Sequence, residues 1–384
     1  MISPSSSFSH DTPPSRVVLD IDHEILHENF KRIAANVSPS KVIAVLKANA
    51  YGLEMQPIAH SLASYGIAAI AVAELREALE AAVNGVPVLI LGTILPEEIE
   101  PAIAAGIRIP IPDVETARRA SNIATRRNTT AIVHLAVDTG MGRLGILHEE
   151  AATVIREIAQ FPNLQMEGIY SHFPMAYRSA EDVTLRQIAR FKSLLSDCER
   201  NGIRFAWRHI ANSDAINNFP VASQAPFTHV RTGINLHGSF DIEGRRSLKL
   251  QPVLTLRARL AQIRTLPAGG TIGYGATYAC PCAMRVGTVA VGYADGLPLA
   301  LSNRGYLLIR GRACPVLGRV SMDYTNVSLE QVLDAEVGDE VICLGGDGPA
   351  AVSVEDWATL KSTHPYEVIC SIGSRVQRRH LNAP

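Results

Sequence analysis

An α/β chain, with a (β/α)8 barrel followed by a mainly β domain, is the fold class this sequence predicts, on three observations. Short apolar runs alternate with longer segments of helical period from Val17 to about residue 245. Beyond that point the period changes to apolar/polar alternation, the pattern of half-buried strands. No Gly-x-Gly-x-x-Gly follows the first strand, so the rival open dinucleotide-binding sheet lacks its signature.

The elements follow in order. Met1 to Arg16 is rich in Ser and Pro with no apolar segment, and reads as a disordered tail, not a secretory signal. Eight candidate strands lie near 41–47, 67–72, 86–92, 107–111, 130–138, 164–172, 207–212 and 228–233. The fourth, around Ile107-Arg108-Ile109, is the weakest, being short and followed by Pro110 and Pro112, which lack the N–H a ladder needs and forbid continuation. Between the strands lie helical segments such as 74–83, where Leu75, Ala78, Leu79 and Ala82 form one stripe. Asp113 and Asp182 stand where helix N-caps are expected. Eight strand-helix units in this length match a barrel of residues 17–245. The polar, glycine-containing stretch Asp241–Ser247 marks the boundary, and 246–384 reads as a β domain. There, Leu254, Leu256, Ala258 and Leu260 alternate with Thr255, Arg257 and Arg259.

Composition narrows the function classes. With 384 residues, 47% apolar and 19% charged, the chain can bury a large core and is far from the disordered class. A formal net charge of -1 implies no general attraction to nucleic acid or to an anionic membrane. No apolar run approaches the ~20 residues of a membrane-spanning helix. The six cysteines (198, 280, 282, 314, 343 and 370) include no Cys-x-x-Cys pair, so neither a metal site nor a disulfide framework is expected, and a reducing cytoplasm fits.

The chemistry gathers at strand ends. In such a barrel the active site lies at the C-terminal ends of the strands. Lys47 ends the first strand, Arg143 follows the fifth, His172 ends the sixth, Asn212 and Ser213 follow the seventh, and Arg231 to Gly233 end the eighth. Alone, each has a structural explanation, Lys47 as a side chain snorkelling to solvent. Sharing one face, they make a site. Ser213 and Gly233 fall where barrels of this type bind phosphate, Gly233 leaving its backbone N–H open to close approach. A phosphate site, a lysine and an arginine at one mouth point to pyridoxal 5'-phosphate, whose aldehyde condenses with a lysine amine.

The stretch Val45-Leu46-Lys47-Ala48-Asn49-Ala50-Tyr51-Gly52 resembles the cofactor-lysine motif of the bacterial alanine racemases. The resemblance continues through Asp138–Gly145, Ser171-His172-Phe173, His209–Ser213, Arg231–Ile234, Ile272–Tyr278, Gly292–Gly296, Gly318–Asp323 and Tyr366-Glu367-Val368. It implies a pyridoxal-phosphate enzyme that interconverts L- and D-alanine, a peptidoglycan precursor, as a cytoplasmic homodimer with active sites shared between chains. Lys47 would hold the cofactor and act as one proton-transfer base, and Tyr274 of the other subunit would be the opposite base. Tyr51, Ser213, Gly233, Ile234 and Tyr366 would hold the phosphate, with Asn212 beside them. Arg231 would face the pyridine nitrogen with His172 next to it. Arg143, Met322 and Tyr293 would line the substrate carboxylate side.

Removing the Cα proton on one face and returning it on the other calls for two opposed bases, which a lysine and a tyrosine supply. A free tyrosine titrates near ten, so a cation such as Arg143 would help Tyr274 serve as a base. Three positions depart from the pattern. Ala136 stands where many of these racemases carry a carbamylated lysine beside the loop arginine, so a chloride, water or another side chain is expected to accompany Arg143. The usual Tyr-Gly-His-Gly is Tyr51-Gly52-Leu53-Glu54, and His237 replaces a tyrosine. These departures keep open a serine or broad-specificity racemase. Related decarboxylases have a glycine-triplet loop and a catalytic cysteine that this chain lacks. A non-catalytic pyridoxal-phosphate-binding barrel is disfavoured by the long second domain with Tyr274.

Overall fold

The structure, a computed structural model, describes residues 15–178 and 182–384. The expected N-terminal tail lies outside these residues apart from Ser15 and Arg16. The chain forms two compact units: Asp20–Leu254 with Ser353–Ser371 and His380–Pro384, and Thr255–Val352 with Ile372–Arg379 and the residues up to Leu19.

The first unit is the barrel. Its strands are β1 Lys41–Val45, β2 Ala69–Val72, β3 Val88–Ile90, β4 Ile109–Ile111, β5 Ala131–Asp138, β6 Leu164–Tyr170, β7 Trp207–His209 and β8 His229–Thr232, one for each apolar run. They pair in parallel in the order β3-β2-β1-β8-β7-β6-β5-β4. A parallel bridge between Leu89 and Arg108 joins the two edges, so the barrel is nearly closed. The weak fourth strand has a simple cause. Arg108 directs its N–H to Val88 O (2.9 Å) and its carbonyl to Ile90 N–H (3.0 Å). Pro110, two residues on, faces the same side without an N–H, so pairing with β3 stops there, while Ile109 and Ile111 continue beside β5. Ile43, Ala69, Ala71 and Leu89 fill the interior with less than 1% exposure each.

The outer helices follow their capping and periodicity signals. Asp113 caps Val114–Arg126 by accepting the Thr116 N–H at 2.6 Å. Asp182 is the first residue of Asp182–Arg200 rather than its cap. In Leu75–Ala81 the buried face is Leu75, Ala78 and Ala81, and Leu79 turns outward at 43% exposure. A one-residue shift along a 100°-per-residue helix separates the two stripes.

The second unit is mainly antiparallel β. Leu254–Leu266 pairs with Glu340–Leu344 and Met284–Val289, the latter also with Thr325–Ser328, and Tyr306–Ile309 joins Glu340–Leu344 to Arg312–Pro315. Helices Val354–Lys361 and Pro365–Cys370 belong instead to the barrel unit. Among the described residues no helix is long and apolar enough to cross a membrane.

Candidate active site

Lys47 follows buried Leu46 at the end of β1 and opens an unusual turn. Ala48, Asn49, Ala50 and Tyr51 have φ of 55°, 53°, 53° and 62°, a left-handed turn without glycine. Such a conformation costs roughly 1–2 kcal/mol per residue, so it needs external support. Glu77 supplies it: one carboxylate oxygen accepts the N–H groups of Ala48 (2.5 Å) and Asn49 (3.4 Å), and the other accepts that of Ala73 after β2 (2.9 Å). Asn49 Oδ1 accepts the Met55 N–H at 2.7 Å and closes the turn. Desolvation, then the charge of Arg143, lowers the Lys47 pKa, against smaller opposing effects of Cys370 and Glu77.

The turn swings the Tyr51 ring under β8. A Cβ on Gly233 would stand 2.8 Å from Tyr51 Cζ and 2.9 Å from Cε2, with the hydroxyl oxygen closer still. Gly233 is thus a glycine because the phenol occupies the space of its side chain. Its N–H donates to Ser213 Oγ (3.3 Å), which also meets Thr232 Oγ1 (3.2 Å). Asn212 caps the helix Ser213–Asn218 by accepting the Ala215 N–H (2.9 Å), which aims that helix start at the cavity. Ile234 is fully buried beside Gly233 and contributes no side chain to the cavity wall.

Arg231, on β8, is 4% exposed. Its guanidinium donates to Ser171 O (2.7 Å), His209 Nδ1 (2.8 Å) and O (3.1 Å), Ile210 O (3.2 Å) and His172 Nδ1 (3.2 Å), and its carbon lies 5.7 Å from the Tyr170 ring centre. Burial, then the charges of Arg231, Arg143 and Lys47, holds His172 down at about 3, so the imidazole is neutral and accepts from Arg231.

The loop after β5 is shaped by Asp138, whose carboxylate accepts the N–H groups of Gly140 (2.8 Å), Met141 (2.7 Å) and Gly142 (2.8 Å). This curl delivers Arg143 to the cavity wall, where it is exposed. Ala136 is buried, and a Cβ on Gly145 would lie 2.8 Å from its carbonyl oxygen. Of the replacements expected beside Arg143, a side-chain partner is absent among the described residues. The other two departures have local neighbours, although both ring nitrogens of buried His237 lack a hydrogen-bond partner among the described residues. Glu54 Oε2 meets His380 Nε2 at 3.2 Å, and His237, 1% exposed, packs edge-on to Tyr51 with ring centres 5.5 Å apart.

Lys47, Tyr51, Arg143, His172, Asn212, Ser213, Arg231, Gly233 and Tyr366 line one cavity of about 470 Å³ in the barrel unit. Tyr366 reaches it from Pro365–Cys370, a helix whose short apolar pattern gave no sign that it packs with the barrel. Sequence reasoning missed Glu77, Tyr170 and the acidic pair Asp214 and Asp241, the last three also on the cavity wall. Asp214, directly after Asn212-Ser213, and Tyr170, directly before Ser171-His172-Phe173, carried a positional signal.

The remaining residues lie in the second unit. Tyr274, Tyr293 and Met322 are 72%, 47% and 51% exposed. Three loops lock together around them. Tyr293 N–H donates to Ser321 O (3.0 Å) and Ala294 N–H to Met322 O (3.1 Å). Arg375 bridges Asp295 and Asp323 at 2.7 Å each. Gly318 and Gly273 admit the close approach of Ile272 O and Arg319 N (2.5 and 3.1 Å from an added Cβ). Tyr274 follows Gly273, whose φ of 73° needs glycine.

Two family models match this chain, the alanine racemase N-terminal domain over residues 21–240 and the C-terminal domain over 253–380. An alanine racemase of Desulforamulus reducens is 38% identical over 94% of this chain and 98% of its own length. Among solved structures, an alanine racemase of Clostridium difficile superposes with a TM-score of 0.89 at 30% identity, covering 97% of this chain and 98% of that one. Another, from Bartonella henselae with covalently bound pyridoxal phosphate, gives 0.85 at 28% identity over 96% and 100%. Domain models covering nearly the whole length and relatives matched end to end lead to one conclusion: the chain belongs to the alanine racemase family, a family of isomerases.

Proposed function

We propose that the barrel cavity binds pyridoxal 5'-phosphate on Lys47 and that the protein racemises alanine as a homodimer, each site completed by Tyr274 of the partner chain. The observation that carries the reading is the convergence of Lys47, Tyr51, Arg143, His172, Ser213, Arg231 and Tyr366 on one cavity. The cavity suits the cofactor. Lowering the Lys47 pKa raises the share of neutral amine available to its aldehyde. The Ser213 hydroxyl, the phenols of Tyr51 and Tyr366, the Gly233 backbone and the start of Ser213–Asn218 form a donor set for its phosphate. Buried Arg231 stands ready for its ring nitrogen. When bound, the cofactor supplies an electron sink for the charge that develops at the substrate Cα.

The chain's own residues do the rest. Lys47 moves the proton on one face of Cα, and Tyr274 on the other. Arg231 cannot give up its proton to the ring nitrogen, which keeps that nitrogen largely unprotonated, limits the charge drawn into the ring and favours return of the proton to Cα. Arg143 provides positive charge for the substrate carboxylate and the tyrosine base, and Tyr293 and Met322 stand beside Tyr274 in the partner's loops. The exposure of Tyr274, Tyr293 and Met322 in their own unit supports this sharing, because large side chains held by interlocked loops at a surface are what a subunit interface covers. The product is D-alanine, a peptidoglycan precursor.

Incubation with L-alanine should yield D-alanine without CO2, and parallel incubation with L-serine reads substrate breadth. Lys47→Ala should remove the cofactor's visible absorbance, and Tyr274→Phe should abolish exchange of the Cα proton of one enantiomer. Mixing Lys47→Ala with Tyr274→Phe subunits tests the sharing. Each is inactive alone, yet a mixed dimer contains one intact site if sites are shared, and none if they are not. Activity that stays absent after subunit exchange would refute the shared site.

A further inference from the structure

Beneath Arg231 the barrel interior carries polar groups where this fold ordinarily stacks aliphatic side chains. His209 on β7 and His134 on β5 have 0% exposure, and Glu167 on β6 meets Arg108 at the edge of β4. They form a continuous series. Arg231 meets His209 Nδ1 at 2.8 Å, His209 Nε2 meets His134 Nδ1 at 3.3 Å, and His134 Nε2 meets Glu167 Oε2 at 3.0 Å. Arg108 closes the end with Nε and Nη2 at 3.0 and 3.3 Å from the Glu167 carboxylate.

We propose that Glu167, His134 and His209 form a one-way hydrogen-bond chain that holds the Arg231 guanidinium in the cavity wall, making all three positioning residues. The direction follows from the two ends. A guanidinium can only donate, and an ionised carboxylate can only accept. Arg231 therefore donates to His209 Nδ1, His209 donates from Nε2 to His134 Nδ1, and His134 donates from Nε2 to Glu167. Every link is satisfied by neutral imidazoles carrying the proton on Nε2. Burial lowers both histidines, most strongly His209, whose pKa the neighbouring Arg231 depresses further. Burial alone would raise Glu167, but the bonds from His134 and Arg108 outweigh it and hold the carboxyl down at about 2.

Two backbone features are built around this chain. The register of β5 against β6 pairs Val133 with Met166 and then His134 with Gly168, so Glu167 is an inserted residue, a bulge that re-aims a side chain. Next to it, a Cβ on Gly168 would lie 2.5 Å from His134 Cε1 and Nδ1, so that glycine leaves room for the ring. Aromatic faces complete the enclosure. Tyr170 stacks on His209 at 5.2 Å, and Trp207 meets His134 edge-on at 5.5 Å. In a dry interior such a series is mutually polarised, and the carboxylate at its far end strengthens the acceptor facing Arg231.

The catalytic consequence rests on the proposed pyridoxal-phosphate function; the chain itself does not. Nitrogen NMR of full-length protein labelled with 15N-histidine should show His134 and His209 each protonated on Nε2 alone, whatever the cavity binds. A wild-type His134 protonated on Nδ1 would overturn the proposed direction. In the cofactor-loaded protein, release of pyridoxal 5'-phosphate followed by its absorbance should quicken about tenfold in Glu167→Leu and in His134→Leu, with no further gain in the double variant, since either change cuts the same chain. His134→Gln can accept from His209 and donate to Glu167, and should stay within about twofold of wild type. Additive effects in the double variant, unchanged release in both single variants, or a His134→Gln protein as impaired as His134→Leu would reduce these residues to packing. If Glu167→Leu does not fold, the contrast between His134→Gln and His134→Leu decides. Failure to bind the cofactor at all would sink the proposed function, while the NMR result still judges the chain.

Discussion

Replacing Gly233 with alanine tests how the cavity floor is built. The backbone there has φ of -132°, outside the left-handed region that demands glycine, so the space the phenol takes is what the added methyl tests. That methyl would sit 2.8 Å from Tyr51 Cζ, about 0.7 Å inside the ~3.5 Å carbon-carbon contact distance. Tyr51 is 4% exposed and lies between His237 and Tyr366, with ring centres at 5.5 and 5.9 Å, so its ring has little room to retreat. Overpacking of a closed site costs about 1–3 kcal/mol. Because Tyr51 and Gly233 both face the proposed phosphate, much of that cost should fall on the cofactor. We expect pyridoxal 5'-phosphate affinity to drop at least tenfold, about 1.4 kcal/mol. Titration of apo-protein with the cofactor, followed by absorbance, measures this, and the double variant Gly233→Ala/Tyr51→Phe should recover part of the loss by removing the closest atom. Unchanged affinity and unchanged denaturant midpoint in Gly233→Ala would show that Tyr51 does not depend on the glycine.

Glu77→Ala should orphan the N–H groups of Ala48, Asn49 and Ala73, costing about 1–3 kcal/mol for those left without water and loosening the turn that carries Lys47; cofactor binding should weaken, with little change in far-ultraviolet circular dichroism. Acid should destabilise the barrel between pH 6.5 and 4. His23, His229 and His237 are held down at about 4, chiefly by burial, so the unfolded chain binds more protons in that window and stability falls with pH, by up to about 1.4 kcal/mol per pH unit for each group. Denaturant midpoints at several pH values check this, and a flat profile from 6.5 to 5 would contradict it. Asp214 acts oppositely. Burial, then Asp241, raises it from 3.8 to about 7, so its cost grows as pH rises through that range. Asp214→Asn should therefore be more stable than wild type at pH 8, by a few kcal/mol at most, and show the steeper loss in acid. Equal stability at pH 8 would mean the carboxylate is well solvated.

How much was legible depended on the range of the forces involved. Each of the eight strands appears where a short apolar run stood, and Lys47, Arg143, His172, Asn212, Ser213, Arg231 and Gly233, expected at strand ends, line one cavity, because strand alternation and barrel polarity follow from local periodicity and one topological rule. Helix stripes were legible to within a residue, as the outward turn of Leu79 shows. The prolines expected to end the fourth strand do not end it: Ile109–Ile111 runs through Pro110 beside β5, and pairing is lost only on the β3 side, which depended on which strand lies next to it.

The sequence by itself determined the barrel, the mainly β second unit and the position of Lys47 at the end of the first strand, since these depend on neighbours within a few residues. Tertiary structure alone decided that residues 353–371 pack with the barrel and bring Tyr366 to the cavity. It also decided that Gly233 is vacant for the Tyr51 phenol, that Glu77 supports a left-handed turn made without glycine, and that a bulge aims Glu167 at His134. Each of these is a contact between side chains or backbone groups far apart in sequence, and its energy exists only once the chain has closed the loop between them.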